Sequence, residues 1–427
     1  MNLKFLNEEN NKKIILFFGN LSAFLFFSLL LPTKIGHSLA MIFMLLMAFQ
    51  SFSLKTVGAT GQEIKIAMAF LIVLAFFWSH TFDGVFTLSL KGDYLVRYIL
   101  AAWLVFVFWK NPIHPRAVVY GCAVGGIAAG ILAIFQYNDL GRAEGFTNAI
   151  RFGNIAMLMG LGCFAAQFVG FFLKKERFFF LASSLFAFAA SILSLSRGGW
   201  IMLGTLPFII FFLFSKNKKY AAYLGLALVP LFLFTASLPP VQDRLSQANT
   251  EITGYFQEKD KYVTTSLGAR LEQWKVALLM GAEKPFTGWG DAKIEDRKIE
   301  YIHAGKAHPS IMNYNHAHND FIENWARRGM VGVLFLFFIY ATPIFCLWLA
   351  YQRNKVFLMA QKNLLDLNRF FFLFGFLIYF GYFVFGLSDV FFTFVISHNF
   401  YIFSFIFFLS VLQWINIQAQ TSKNSLR

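Results

Sequence analysis

Charged residues are scarce in this chain of 427 residues: Asp, Glu, Lys and Arg make up 14%, whereas 58% of the residues are hydrophobic. A soluble domain carries roughly a quarter charged residues. Apolar runs of about 20 residues recur along the chain, and a run of that length can cross a bilayer as a helix. The shortage of charge therefore excludes an ordinary soluble protein and predicts an all-α polytopic membrane protein.

Cysteine and processing signals are also scarce. The chain has only Cys122, Cys163 and Cys346, all inside apolar runs, so we expect no disulfide and no zinc site from them. No small-residue cleavage site follows the first apolar run, so we interpret residues 14–31 as an uncleaved span.

Twelve apolar segments are predicted to be transmembrane helices, at 14–31, 38–54, 64–80, 95–109, 116–136, 152–173, 178–195, 199–215, 220–238, 331–351, 369–388 and 392–413. The connections between them alternate in charge: one set carries 19 of the 37 basic residues and the other short loops carry six. The positive-inside rule then places both termini in the cytoplasm. Because orientation and anionic membrane lipids account for the net charge of +15, we expect no nucleic-acid partner.

One connection is much longer than the others. Residues 239–330 form an outer-face loop with 12 basic and 12 acidic residues, too long for a simple linker. Within it, Leu271, Trp274 and Leu278 have helical spacing. We therefore predict a helical cap and three parts of the chain: spans one to nine (1–238), the cap loop (239–330), and spans ten to twelve with a cytoplasmic tail (331–427).

A polar stretch, "NHAHNDFIENWARRGMVG" (315–332), lies directly before the tenth span. Asp320 and Glu323 have the spacing of a capping box with Asp320 as the cap, and the pattern predicts a short helix that ends at Gly329, which places His318 and Asn319 at the helix N-terminus. The positive end of the helix dipole disfavours a protonated imidazole, so His318 is suited to act as a general base. The spacing alone favours a simpler interpretation, in which these two residues only cap the helix.

Four arginines are candidates for binding an anion. Arg197, in "SLSRGGW" (194–200), interrupts an apolar stretch, and the two glycines after it would let a phosphate approach closely. Arg270 opens the predicted cap helix, and Arg142 and Arg151 lie on the same outer face. Arginine binds phosphate through two parallel hydrogen bonds, although for Arg142 and Arg151 the sequence slightly favours a role as anchors at the membrane interface.

No group of His, Asp or Glu has convincing metal-ligand spacing, and His316 with His318 is a weak pair at best, so we predict no metal and no cofactor. An outer-face site that is rich in arginine and lacks a metal fits a lipid-linked phosphate or pyrophosphate substrate.

These motifs resemble the O-antigen ligase family of membrane glycosyltransferases. His318-Asn319, nine residues, Gly329, two residues and Gly332 reproduce its His-Asn-x9-Gly-x-x-Gly signature. The segments "ARLEQWKVALLMGAEKPFTGWG", "SRGGW" and "RAEGFTNAIRFGN" resemble its other recurring segments, in the same order. About twelve spans and a large periplasmic loop before the tenth also match, which implies a GT-C-like fold.

The resemblance implies a function. Such enzymes lie in the bacterial inner membrane, with the active site in the periplasm, and transfer a glycan from undecaprenyl pyrophosphate to the lipid A-core oligosaccharide without a metal. By correspondence, Arg197 and Arg270 would hold the pyrophosphate and His318 would activate the acceptor hydroxyl, while Arg142, Arg151 and Asn319 would contact substrate. With no carboxylate evident to form a covalent intermediate, we expect inversion at the anomeric carbon.

Three other functions remain open. An O-antigen or other polysaccharide polymerase would use the same donor, and many carry an Arg-x15-Gly motif, which no arginine of this sequence forms. A protein O-oligosaccharyltransferase usually has an extended periplasmic C-terminal region. A lipid-linked oligosaccharide transporter would need charges deep in the bundle and repeat symmetry, and the sequence shows neither.

Overall fold

The computed structural model describes residues 3–51, 61–79, 81–82, 86–87, 92–213, 239–359 and 361–425, and single helical positions at 219, 226, 233 and 237. Apart from a two-residue antiparallel pairing of Thr81–Phe82 with Phe86–Thr87, this part of the chain consists of helices and their connections. The α-helices are α1 (Leu3–Leu29), α2 (Gly36–Ser51), α3 (Gln62–Ser79), α4 (Gly92–Lys110), α5 (Pro115–Leu140), α6 (Ala149–Ala166), α7 (Lys174–Leu193), α8 (Arg197–Ile201), α9 (Leu206–Leu213), α10 (Pro239–Gln257), α11 (Lys259–Tyr262), α12 (Ser266–Glu283), α13 (Gly290–His303), α14 (Asp320–Lys355), α15 (Lys362–Gly386) and α16 (Val395–Ser425).

The all-helical membrane fold predicted from composition is confirmed. Among the described residues, seven helices are long and apolar enough to cross a membrane: Glu9–Leu29, Pro115–Leu140, Ala149–Ala166, Lys174–Leu193, Asp320–Lys355, Lys362–Gly386 and Val395–Thr421. The shorter helix α2 is also apolar, and α3 and α4 pack against each other beside the bundle. The total of twelve stays a prediction, since most of the expected ninth span, 220–238, lies outside the described residues.

Helix α6 occupies a central position in the bundle. Nearly all of its residues are buried, and it packs against α5, α7 and α15. Close packing depends on its small residues: a Cβ added to Gly162 would lie 2.1 Å from the ring of Phe374 on α15. The polar first turn of α6, with Arg151 and Asn154, is thereby held at the end of the bundle where the cap sits.

The cap is built from helices α10 to α13. The expected helix around residue 274 is present as α12, but its apolar face differs from the predicted one, because Leu278 is 49% exposed. The side chains that α12 buries include Val276, Ala277 and Met280, which pack with Ile294 of α13.

A buried carboxylate ties the cap together. Glu272 on α12 accepts hydrogen bonds from Tyr255 Oη at 2.6 Å, Lys259 Nζ at 3.0 Å and the His308 backbone N–H at 2.9 Å. Burial would raise the pKa of Glu272, but these three donors outweigh it and hold the pKa below the ordinary value.

Two glycines join the cap to the membrane helix. The predicted end of the short helix at Gly329 is confirmed as a break inside α14, where φ is 59° and ψ is −153°. Only glycine adopts this region readily. The break lets the Met330 N–H bond to the Pro285 carbonyl at 2.7 Å, and a Cβ on Gly288 would lie 2.3 Å from the Arg327 carbonyl carbon. The signature glycine therefore fixes how the cap meets the span.

Candidate functional site

The site begins at the N-terminus of α14. The helix cap is Asn319 rather than the predicted Asp320: its Oδ1 accepts from the N–H groups of Phe321 and Ile322, at 2.9 and 3.1 Å. Its Nδ2 donates to the Leu387 carbonyl at 2.9 Å, so the Asn319 side chain also fixes the neighbouring loop. In this arrangement Asn319 is buried and holds the backbone around His318.

His318 has a strained backbone, with φ at 49°. Leu195 (φ 55°), two residues before Arg197, is the other non-glycine residue with positive φ in the described part of the chain. Such conformations cost on the order of 1–3 kcal/mol and cluster at functional sites. Both strained positions thus coincide with motifs singled out from the sequence.

The imidazole of His318 contacts a buried carboxylate that the sequence reasoning missed. Its Nδ1 lies 3.1 Å from Asp389 Oδ1, in the loop between α15 and α16. Asp389 is 1% exposed by its side chain, whereas His318 is 21% exposed. Burial would raise the pKa of Asp389, but the hydrogen bond from His318 and the charge of Arg151 outweigh it, so the pKa is lowered.

An ionised Asp389 decides which nitrogen of His318 carries the proton. A carboxylate can only accept, so Nδ1 donates to it, and the neutral ring leaves Nε2 with a free lone pair. This is the arrangement of a histidine general base with an orienting carboxylate.

Arg151 supports Asp389 from the other side. Its Nη2 lies 2.8 Å from Asp389 Oδ2, and its guanidinium stacks on the Phe394 ring at 3.4 Å from the ring centre. The side chain is 4% exposed, so it faces Asp389 rather than the exterior. The prediction that Arg151 contacts substrate stays a prediction; its visible role is to compensate the buried carboxylate.

Arg270, another of the predicted site arginines, also contacts the loop 387–394. Arg270 Nη1 donates to the Ser388 carbonyl at 3.0 Å, one residue before Asp389. The cap helix α12 and the catalytic candidate His318 therefore meet at the same loop.

Arg197 begins helix α8 beside this loop. From the sequence we expected Gly198 and Gly199 to let a phosphate approach closely, but their contacts indicate a packing role. A Cβ on Gly199 would lie 2.5 Å from Ser191 Oγ, and one on Gly198 would lie 3.3 Å from Ser388 Oγ. The glycines let α8 pack closely against its neighbours, and the tight turn comes before Arg197, at Leu195.

Arg142 is held by that same turn, because its Nε donates to the Ser194 carbonyl at 2.9 Å. It is therefore connected to the segment that carries Arg197.

Four guanidinium groups form an arginine cluster, defined as Arg142, Arg197, Arg244 and Arg270. Burial lowers the pKa of Arg142 and of Arg197, and the charges of Arg244 and Arg270 lower it further in both. Burial also lowers the pKa of Arg270, although Asp389 and Glu251 oppose this. Within the described residues Arg197 makes no hydrogen bond or ion pair, so its guanidinium is available to an anion.

Arg244 was not singled out from the sequence. It projects from the cap helix α10, where its Nη1 donates to Gln247 Oε1 at 3.0 Å; Gln247 in turn donates to the buried Glu251 at 2.7 Å. Nothing in its local sequence distinguishes it. Asp389, by contrast, has a signal: it is the only Asp or Glu after Asp366. A lone acid between two apolar spans is a site candidate.

Comparison with known proteins supports the resemblance seen in the motifs. Residues 181–337 match the family model described as O-antigen ligase. Over this segment the chain is similar to the O-antigen ligase family. An uncharacterized protein of Haemophilus influenzae is 29% identical to it over 354 residues, which are 78% of this chain and 86% of that protein.

This similarity, together with the long apolar helices, supports a multi-pass membrane enzyme with lipid-linked glycan substrates. The matched segment, residues 181–337, contains Arg197, Arg270 and His318. Arg151 and Asp389 lie outside it, and only the fold brings them to His318.

Proposed function

We propose that this protein is an O-antigen ligase of the bacterial inner membrane, which transfers a polysaccharide from undecaprenyl pyrophosphate to the lipid A-core oligosaccharide on the periplasmic side. The observation that carries the proposal is that the His318–Asp389 pair and Arg270 of the arginine cluster make contacts at neighbouring residues of one loop, 387–394. A base and an anion site side by side are what glycosyl transfer from a diphosphate requires.

The arginine cluster supplies the donor site. The acids that act on these positive charges are Glu144 beside Arg142, Glu251 beside Arg197 and Arg270, and Asp389 beside Arg270. As the glycosidic bond breaks, its electron pair leaves with the diphosphate, and fixed guanidinium groups stabilise the developing charge. Arg197 and Arg270 are assigned to this role, with Arg142 and Arg244 at the edge of the site.

His318 supplies the base. The acceptor hydroxyl gives its proton to Nε2 as its oxygen bonds to the anomeric carbon, and Asp389 stabilises the resulting imidazolium through Nδ1. No covalent glycosyl-enzyme step is invoked, so the configuration at the anomeric carbon inverts. Arg151 is a positioning residue that keeps Asp389 ionised and in place, and Asn319 positions the backbone of His318.

A deletion strain tests the function. Loss of all polysaccharide ladder bands on a lipopolysaccharide gel, with lipid-linked polymer accumulating, supports ligation. A single repeat unit on the core would mean that a polymerase has been lost instead, and an unchanged ladder would refute both. The His318→Ala variant should accumulate in the membrane but fail to restore the ladder, while His303→Ala, an exposed cap histidine, should restore it.

Purified protein tests the mechanism. Transfer in the presence of a strong chelator should be undiminished, and nuclear magnetic resonance of the product should show inverted anomeric configuration. A retained configuration would contradict direct displacement.

A further inference from the structure

A compact group of potential metal ligands surrounds the proposed base. His316, His318 and Asp389 each offer one ligand atom, and these atoms all lie within 4.8 Å of one another. The two imidazole rings are 4.3 Å apart between centres, at 74°. The 3.1 Å between His318 Nδ1 and Asp389 Oδ1 is close to the separation of two ligands on one tetrahedral ion, about 3.3 Å for bonds of about 2.0–2.1 Å.

His316 has no role in the proposed transfer, yet one of its nitrogens is buried and unused. Its Nδ1 has no hydrogen-bond partner among the described residues. A buried polar atom normally has a partner, and one without a protein partner is suited to bind an ion or a water molecule. Two imidazoles and a carboxylate are a donor set that Zn²⁺ prefers.

We propose that His316, His318 and Asp389 form an inhibitory binding site for a first-row divalent cation, with Zn²⁺ as the fitting ion. The inhibitory half of this inference rests on the proposed role of His318 in transfer. The binding half rests only on the cluster itself.

Inhibition follows from the atoms involved. A neutral imidazole binds an ion through its unprotonated nitrogen, so an ion at His318 Nδ1 requires the tautomer in which the proton that Nδ1 now donates to Asp389 is carried by Nε2. In that tautomer Nε2 holds the proton and has no free lone pair. His318 Nε2 then no longer accepts the proton of the acceptor hydroxyl.

The neighbouring charge limits the affinity. Arg151 lies 2.8 Å from Asp389 Oδ2, so the ion would bind next to a buried guanidinium. This repulsion makes the site reversible rather than permanently occupied, which agrees with a reaction that does not need the ion. Replacing Arg151 with Gln should therefore tighten Zn²⁺ binding.

The direct test measures Zn²⁺ binding by the full-length protein in detergent, after removal of any polyhistidine tag, by competition with a chromophoric chelator. We expect one Zn²⁺ per protein. His316→Gln should weaken binding by at least about tenfold, since even loss of a residue that only supports a ligand costs about 10–100-fold. His303→Gln removes an exposed histidine at the end of α13 and should leave binding unchanged. Equal binding by the His316→Gln variant, or none by the wild type, overturns the site.

The second test measures glycan transfer during Zn²⁺ titration. Transfer should fall as the ion binds and recover when a chelator is added, and His316→Gln should shift the inhibiting concentration upward by the same factor as binding. Binding without inhibition overturns the inhibitory role. A protein that binds Zn²⁺ but transfers no glycan under any condition would refute the proposed function and leave the site standing.

Discussion

Replacing Asp389 with Asn separates its chemical role from its structural one. The amide keeps the shape of the carboxylate but loses its charge, and its Nδ2 can donate to His318 Nδ1, which favours the wrong tautomer. Since general-base catalysis contributes about 10²–10⁴-fold, we expect transfer to fall by about that factor.

The same substitution should destabilise the fold. Arg151 would remain buried, 4% exposed, opposite a neutral side chain. Removing one partner of a buried ion pair costs about 3–5 kcal/mol, because the other charge is left uncompensated. Thermal unfolding in detergent should therefore occur at a lower temperature in Asp389→Asn than in the wild type.

The double variant Arg151→Gln, Asp389→Asn distinguishes the two effects. With both charges gone, much of the lost stability should return. Transfer should not return, because His318 still lacks a carboxylate. The assay is transfer from a lipid-linked glycan to lipid A-core, with the rate expressed per folded protein.

A second ion pair provides the matched control. Arg353 pairs with Glu63 and lies 4.7 Å from the ring centre of Trp109, so it also combines a carboxylate with an aromatic ring. Arg353 is more than 20 residues beyond Gly329 along α14, on the order of 30 Å away. Glu63→Gln should lower stability without lowering the transfer rate per folded protein. Near-normal transfer by Asp389→Asn, or recovery of transfer in the double variant, would refute the reasoning.

Three further outcomes are expected. Arg197→Lys should reduce transfer by at least about tenfold with little change in unfolding temperature, since lysine cannot form the two parallel hydrogen bonds to a phosphate; unchanged transfer would assign Arg197 to the headgroup region. Arg244→Gln should raise the apparent KM for the donor several-fold with kcat nearly unchanged, whereas Lys261→Gln, an equal charge change on an exposed cap residue, should alter neither; a loss confined to kcat would contradict a role in donor binding. Glu272→Gln should lower the unfolding temperature. In the wild type, the stability that the Glu272 carboxylate contributes should be present above its ordinary pKa and be lost as pH falls through its lower folded pKa. A variant as stable as the wild type at neutral pH would exclude a stabilising role for Glu272.

The sequence by itself determined the kind of protein and several of its landmarks. The shortage of charge and the recurrence of long apolar runs require a helical membrane protein, because every backbone polar group in lipid must be bonded within its own helix. The break at Gly329 and the helix around Trp274 were also predictable, since glycine and helical spacing act locally. His318, Arg197 and Arg270 could be singled out because polar residues are conspicuous against an apolar background.

Only the tertiary structure decided what those residues touch. Asp389 lies 71 positions after His318, and Arg151 lies 167 positions before it (318 − 151), so no local pattern links the three. The identity of the helix cap, Asn319 instead of Asp320, depended on the loop carbonyl that competes for its side chain. The buried face of α12 likewise depended on where α13 packs. Contacts between distant segments are set by how the helices fit together, and the spacing of residues along one helix does not determine which other helices pack against it.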